Sequence, residues 1–416
     1  MSSLTRRAVP LFMMYRMTRQ ETSLPVRAPD SRSPFVRLRE LLGDVPPGRP
    51  AISMAVGEPQ HPIPPFVAPI IAAHVDEFGR YPMNKGLDAF GEAVALWLER
   101  RYALPRPVDP AAEVLVLNGT REGLFLAALA AKRFVPPRAG RPAVLVPNPF
   151  YAAYSAGAIA ADCEPVYLPA TAASGFLPDL DALSDDLLAR TVACYLASPS
   201  NPQGAVADGT YLTKLAALAR RQGFLIFCDE CYCEIYSDRP PPGMLEAAGS
   251  DFANVVVFHS LSKRSSLPGL RVGFAAGDRR FLASYLELRN VAAPQVPTPA
   301  QRVAIAAYGD ETHVAENRRL YRQKFDLADQ IIGDRYGYRR PAGGFFLWLD
   351  VSAQGGSEAA TLSLWRNAGV RVVPGRYLAR EQADGGNPGA DYIRVAMVQN
   401  KEITGEALHR LVAVLG

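Results

Sequence analysis

The sequence predicts an α/β fold: a large domain built on a mostly parallel, doubly wound sheet of seven strands, joined to a smaller α+β domain. Three observations predict it. Short apolar runs recur from about residue 113, with helix-patterned stretches between them. Several of these runs are apolar throughout rather than alternating, as parallel strands covered on both faces are. After residue 300 the pattern changes to a long charged helical stretch followed by short strand-like segments.

The chain opens with "MSSLTRRAVPLFMMYRMTRQ", a twin arginine before an apolar stretch of only about eight residues that contains Pro10. No small-residue cleavage site follows, so residues 1–33 read as a poorly ordered extension rather than a signal peptide. Residues 34–60 are expected to pack with the small domain, 61–300 to form the large domain and 301–416 the small one. Strands are expected at 114–117, 143–146, 165–168, 192–196, 224–228, 255–258 and 272–275. Helices are expected at 122–134 and 211–221, the second stopped by Gly223. The strand at 272–275 follows its predecessor after about a dozen residues, too few for a helical crossover, and so should run antiparallel. Beyond 301 come a helix pattern around 313–334 and the strand-like "GGFFLWLD", "VRVVPG" and "YIRVAMV".

Composition narrows the function. The 416 residues hold 45 Lys+Arg against 41 Asp+Glu, a net +4 too small and too evenly spread for nucleic acid or an anionic membrane surface. No apolar run approaches the roughly 18 residues of a membrane helix. Three of the five cysteines cluster in "CDECYC" as Cys228, Cys231 and Cys233, but no second Cys or His pair stands at ligand spacing and the five histidines are scattered. That argues for no metal, and for reduced thiols in a cytoplasmic protein.

Ligands of such sheets bind beyond the carboxyl ends of the strands, and the unusual polar residues collect there. In "NGTREG", Gly119 and Thr120 lead straight into a helix, which makes either a phosphate cradle or a plain N-cap. "NPFYAAY" places Tyr151 or Phe150 over the same crevice, unless it only buries an aromatic. In "SPSNPQG", the turn at Asn201-Pro202 suggests an amide held at a fixed angle, with a cis bond. Asp229 directly follows four apolar residues, where a carboxylate is costly unless paired, and Tyr232 lies three further on. The next strand ends in Ser260, Ser262 and Lys263, and Arg271 stands eight positions after the lysine. A lysine in such a crevice can lose its proton and attack carbonyls. A cofactor with a phosphate, a phenolic oxygen, an aldehyde and a pyridine nitrogen uses every one of these groups, and that cofactor is pyridoxal 5'-phosphate (PLP). Asp229 would keep its ring nitrogen protonated. The Gly119–Thr120 turn, Ser260 and Arg271 would meet its phosphate.

The motifs NGT, SNPxG, DExYxE and SLSKxxxxPGLRxG, in this order, resemble the fold-type I PLP enzymes and within them the class I/II aminotransferases, from about Ser33 to the end. The resemblance implies the aspartate aminotransferase-like fold. It makes Lys263 the Schiff-base lysine and general base of the 1,3-proton shift, and Asp229 the partner of the ring nitrogen. Asn201 and Tyr232 would bond the phenolic oxygen, Tyr151 would stack on the ring, and Arg121 and Ser262 would complete the cofactor contacts. Arg394 in "YIRVAMV" matches the arginine that grips the substrate α-carboxylate, with Asn201 and the backbone at Gly57 in "VGEP" beside the substrate. Tyr81 in "YPMNKG" matches a tyrosine that reaches the phosphate of a neighbouring subunit, which implies a homodimer with shared sites. "SPFVRLRELLGD", "VPNPFYAAY", "VVFHSLSKRSS", "ENRRLYRQKF" and the tail "LAREQADGGNPG" are most similar to the N-succinyl-LL-diaminopimelate aminotransferases of lysine biosynthesis, with 2-oxoglutarate/glutamate as the expected second pair; "RNVAAPQVPTPAQ" departs from that subgroup. The alternatives are an aspartate, aromatic or alanine-type aminotransferase, or a PLP-dependent carbon–sulfur lyase.

Overall fold

A computed structural model describes residues 32–136 and 140–416 of the protein. The chain divides into Met1–Ser33 and Pro34–Gly416. The extension expected at the N-terminus lies outside the described residues except for Arg32 and Ser33.

In chain order the second unit begins with Pro34–Leu42 (α1), Ile52–Ser53 (β1), Val67–Ala73 (α2), Asp88–Arg101 (α3), Val114–Leu117 (β2), Thr120–Phe134 (α4), Ala143–Asn148 (β3), Ala152–Ala160 (α5), Glu164–Pro169 (β4), Asp185–Arg190 (α6), Thr191–Ala197 (β5), Gly209–Gln222 (α7) and Leu225–Asp229 (β6). It continues with Val255–Ser260 (β7), Leu261–Arg264 (α8), Gly273–Gly277 (β8), Arg279–Ala292 (α9), Thr298–Gly309 (α10), Thr312–Ile332 (α11), Phe346–Asp350 (β9), Gly356–Ala368 (α12), Val370–Arg371 (β10), Val373–Pro374 (β11), Tyr392–Ala396 (β12) and Lys401–Leu415 (α13).

Seven strands form the main sheet in the order β2-β8-β7-β6-β5-β3-β4. Neighbours from β4 through β7 pair in parallel, while β8 is antiparallel to both β7 and β2. The short connection after β7 therefore reverses the chain, as its length requires. The strands are apolar in both phases because both faces are covered. On β6, Leu225 and Phe227 join a core with Leu117, Val144, Tyr195 and Phe258. The intervening Ile226 and Cys228 join the opposite core with Val116, Leu145, Cys194 and Val257. Helix α7 is bounded as its sequence predicts. Asp208 caps it by accepting from Tyr211 N at 2.8 Å, and Gly223 ends it at φ 71°.

Helix α10 belongs with this sheet: Val303, Ala304, Ala307 and Tyr308 lie in the core that holds Val116. The expected boundary at residue 301 therefore falls inside a helix that packs on the main sheet. Beyond it, β11, β12 and β9 form an antiparallel sheet. Leu347, Leu349, Ile393 and Val395 bury one face against Tyr321 of α11, Leu364 of α12 and Leu408 of α13. On the other face Trp348 stacks on Tyr392, centroids 5.0 Å apart, and packs with Leu38 and Leu42 of α1. Strand β1 pairs in parallel with β10, and Leu38, Leu42 and Ala55 share a core with Trp348 and Val373. All five cysteines are buried and unbridged. Among the described residues no helix is long and apolar enough to cross a membrane.

Candidate active site

The ends of β2, β6 and β7 meet the start of antiparallel β8 along one edge of the sheet, where Ser260 and Leu117 both lie opposite Gly273. Gly119 opens α4 at φ 77°, and no side chain caps the first turn, so its N–H groups face outward. The turn has to be glycine. A Cβ at Gly119 would collide with Nη2 of Arg271, whose guanidinium lies against it. Arg271 reaches this place from a left-handed backbone, φ 58°, with Nη1 donating to Pro268 O at 2.9 Å. Ser260 caps α8 by accepting from Ser262 N at 3.1 Å and donates to Ser262 Oγ at 3.0 Å. Thr120 Oγ1 lies 3.1 Å from Cys231 Sγ. Two serines, a threonine, a helix N-terminus and an arginine thus share one corner.

Beside that corner stands Asp229, buried at the end of β6. Its carboxylate accepts from Tyr154 OH at 2.6 Å and from Cys231 N at 3.1 Å, and no cation pairs with it among the described residues. Tyr154 is itself fixed, stacked on Tyr195 at 4.6 Å, and Tyr195 donates to Leu124 O at 2.6 Å. Tyr151 meets Tyr154 edge-on at 5.7 Å and accepts from Arg121 Nε at 2.6 Å. Tyr232 is buried edge-on against Phe345 at 5.2 Å, and burial pushes its hydroxyl well above the usual tyrosine range. The Asn201-Pro202 bond is cis, as expected, and Asn201 turns Oδ1 toward Arg394.

Lys263 projects from α8 and donates from Nζ to Gly57 O. Its ammonium lies 5.2 Å from the Phe345 ring centre and 6.0 Å from that of Tyr232. Burial pushes its pKa down to about 8; Cys231 and Glu58 oppose the shift, Arg394 and Arg271 add to it. A Cβ at Gly57 would come within 2.7 Å of Phe346 Cζ, so a side chain there would have to push that ring aside.

Strand alternation explains Arg394. Its neighbours Ile393 and Val395 face the helices, so it points to the other side. There it is buried, with Nη1 donating to Asn201 Oδ1 at 3.1 Å, Nη2 to Ala55 O at 2.8 Å, and the guanidinium 4.4 Å over Phe346. Burial takes its pKa down to about 10, with Tyr232 opposing. Its Nε is buried with no partner, and no carboxylate pairs with the group among the described residues.

The structure thus gathers Gly57, Gly119, Thr120, Tyr151, Asn201, Asp229, Tyr232, Ser260, Ser262, Lys263, Arg271 and Arg394 at one crevice. Arg121 lies at its exposed rim on Tyr151. Tyr81 does not enter it and is 96% exposed. Tyr154, Phe345 and Phe346 were not expected, although "NPFYAAY" puts Tyr154 three residues after Tyr151 at the start of α5. The set fits pyridoxal phosphate: a glycine turn that any Cβ would fill, a buried carboxylate with no cation among the described residues, and a desolvated amine.

The chain matches the family model for aminotransferases of class I and II over residues 49–411. It is 32% identical over 370 residues to the LL-diaminopimelate aminotransferase of Moorella thermoacetica, spanning 88% of this chain and 91% of that protein. With the LL-diaminopimelate aminotransferase of Desulforudis audaxviator it shares 33% over 391 residues, 92% of this chain and 95% of the other. Among solved structures, an aminotransferase from Neisseria meningitidis superposes with a TM-score of 0.86 at 36% identity, covering 92% of this chain and 98% of that one. A probable N-succinyldiaminopimelate aminotransferase from Thermus thermophilus superposes at 0.80 and 26% identity, covering 92% and 100%.

Proposed function

The chain belongs to the class I and II aminotransferases, which depend on pyridoxal phosphate, and from that premise we propose that it moves the amino group of a diaminopimelate-type substrate to 2-oxoglutarate. One observation carries the amino-acid part of the reading, and the named relatives support the diaminopimelate part. Arg394 is a buried guanidinium with no anion among the described residues, next to a desolvated lysine. Such a group is costly unless a ligand brings the missing charge, and an amino acid's α-carboxylate does so bidentately.

Bound PLP supplies an electron sink for the carbon that carries the amino group. The protein does the rest. Gly119, Thr120, Ser260, Ser262 and Arg271 would hold the phosphate. Asp229, pre-set by Tyr154, would keep a proton on the ring nitrogen. The Asn201 amide and the Tyr232 hydroxyl would hold the phenolic oxygen, and Tyr151, steadied by Arg121, would cover the ring. Lys263 Nζ would carry the cofactor and then the proton of the substrate α-carbon, a task for which an amine pushed down to about 8 is suited at neutral pH.

The finer reading is N-succinyl-LL-diaminopimelate, which the sequence stretches quoted above and the likeness to the Thermus structure support. The second is LL-diaminopimelate itself, favoured by the curated relatives at 32% and 33% identity. Both carry a second carboxylate far from the reacting carbon. The test is kcat/KM with 2-oxoglutarate for N-succinyl-LL-diaminopimelate, LL-diaminopimelate, aspartate and phenylalanine. One of the first two should lead, and which one leads assigns the substrate. If aspartate or phenylalanine leads, the diaminopimelate reading is wrong and the aminotransferase stands.

A further inference from the structure

Lys263 sits on α8, a helix of four residues whose last carbonyls have no partner within it. Two of them are met from outside. Asn317 of α11 donates from Nδ2 to the carbonyl of Lys263 at 3.0 Å and to that of Arg264 at 3.1 Å. Its Oδ1 accepts from Ser266 Oγ at 3.1 Å and bonds His61 Nδ1 at 2.6 Å. Every hydrogen-bonding capacity of this amide is used, so it has one orientation.

The partners order the protons. An amide oxygen only accepts, so His61 must carry its proton on Nδ1 and leave Nε2 bare. Nε2 in turn receives Lys324 Nζ at 2.7 Å. Lys324 is 2% exposed, donates a second bond to Met397 O at 3.0 Å, lies 4.7 Å from the Tyr321 ring centre, and has no carboxylate partner among the described residues. Burial pushes Lys324 down to about 7, and burial with Lys324 beside it pushes His61 down to about 4, which keeps the imidazole neutral and able to donate on one side and accept on the other. Asn317 and Lys324 are two turns apart on α11, and so on one stripe of it. Met397 directly follows β12, the strand that holds Arg394.

We infer that Lys324, His61 and Asn317 form a positioning relay that holds the backbone at Lys263 in register with the Arg394 strand, setting the direction from which the lysine amine meets cofactor and substrate. The relay touches neither; it acts through the two peptide groups beside Lys263. It rests on Lys263 being the lysine that carries the cofactor.

The test uses the holoenzyme of Asn317→Leu, His61→Leu, Lys324→Met and His61→Gln. Glutamine can donate toward Asn317 and accept from Lys324 across the same gap. Borohydride reduction and peptide mapping first identify the lysine that carries the cofactor. Then the visible band of the bound cofactor is titrated with pH, and kcat and KM are measured. In the two leucine variants and Lys324→Met the band's pH midpoint should move by at least about half a unit. Their kcat should fall about tenfold or more while KM stays within about threefold. His61→Gln should recover most of both. If Asn317→Leu does not fold, His61→Leu and Lys324→Met decide. Variants with the label on Lys263, lower melting temperature but wild-type midpoint and kcat overturn the relay alone. A label on another lysine in the wild type overturns the functional reading from which the relay starts.

Discussion

Arg394 shows how much a single residue can be asked to do. Its guanidinium is buried, its Nε has no partner, and its two bonds go to an amide oxygen and a carbonyl rather than to a carboxylate. Replacing it with alanine removes the charge that an α-carboxylate needs and leaves Asn201 and Ala55 without a donor. Arg394→Ala should cost about 2–5 kcal/mol in kcat/KM for every amino donor, the range for deleting one partner of a buried charge pair. The ranking of donors should survive, because all of them share the α-carboxylate. A ranking that inverts would place Arg394 at the distal end of the substrate instead. Residues of this kind were legible because their local context is odd: an arginine between two strand residues that face a core, an aspartate closing an apolar run, a lysine after two serines. Of the three aromatics in "NPFYAAY", the pattern singles out Phe150 and Tyr151, but it is Tyr154, one helical turn after Tyr151, that turns its hydroxyl to Asp229. Asn317, His61 and Lys324 were beyond reach. They join residues 256 and 263 positions apart, and nothing in a local pattern marks such a pairing.

At the scale of elements, the strands were legible because both faces of the sheet are apolar, and the reversal at β8 because the loop before it is short. For a physical reason, the boundary that the sequence pattern suggests at residue 301 falls inside helix α10. Its apolar stripe looks the same whichever core it joins, and only the fold shows that Val303 and Ala307 meet the main sheet. The junction of β2 and α4 gives a direct test. Gly119 lies outside the ordinary backbone region, at φ 77°, and any Cβ added there would also run into Arg271. Gly119→Ala should therefore strain the turn and push the arginine off it together. We expect PLP affinity to fall at least about tenfold, with the fold retained by circular dichroism. Unchanged affinity, measured by cofactor fluorescence on dilution, would remove this corner from the cofactor site.

At the scale of the whole molecule, the exposed residue Tyr81 is the informative one. It is 96% exposed, with Phe78 at 56% and Met83 at 59% nearby in sequence, an apolar stretch that water would not favour. Tyr81 also shares a groove with Gln295, whose carbonyl accepts from Asn118 Nδ2 at 3.5 Å, one residue before the Gly119 turn. The face that carries Tyr81 thus adjoins the phosphate corner, and we propose that two chains meet there in a homodimer, the partner subunit's Tyr81 reaching this chain's phosphate corner. The interface would bury on the order of 2,000 Å² or more, as obligate dimers do. Shared sites make a prediction that separate sites do not. Lys263→Ala and Tyr81→Ala should each cripple the homodimer. In a mixed dimer one site collects both lesions, while the other has an intact Lys263 from one chain and an intact Tyr81 from its partner. Co-expressing the two variants should therefore restore up to about a quarter of wild-type activity, the share of intact sites in randomly paired twofold dimers. No recovery from confirmed mixed dimers, or full activity in a monomer by sedimentation at assay concentration, would place Tyr81 outside the active site.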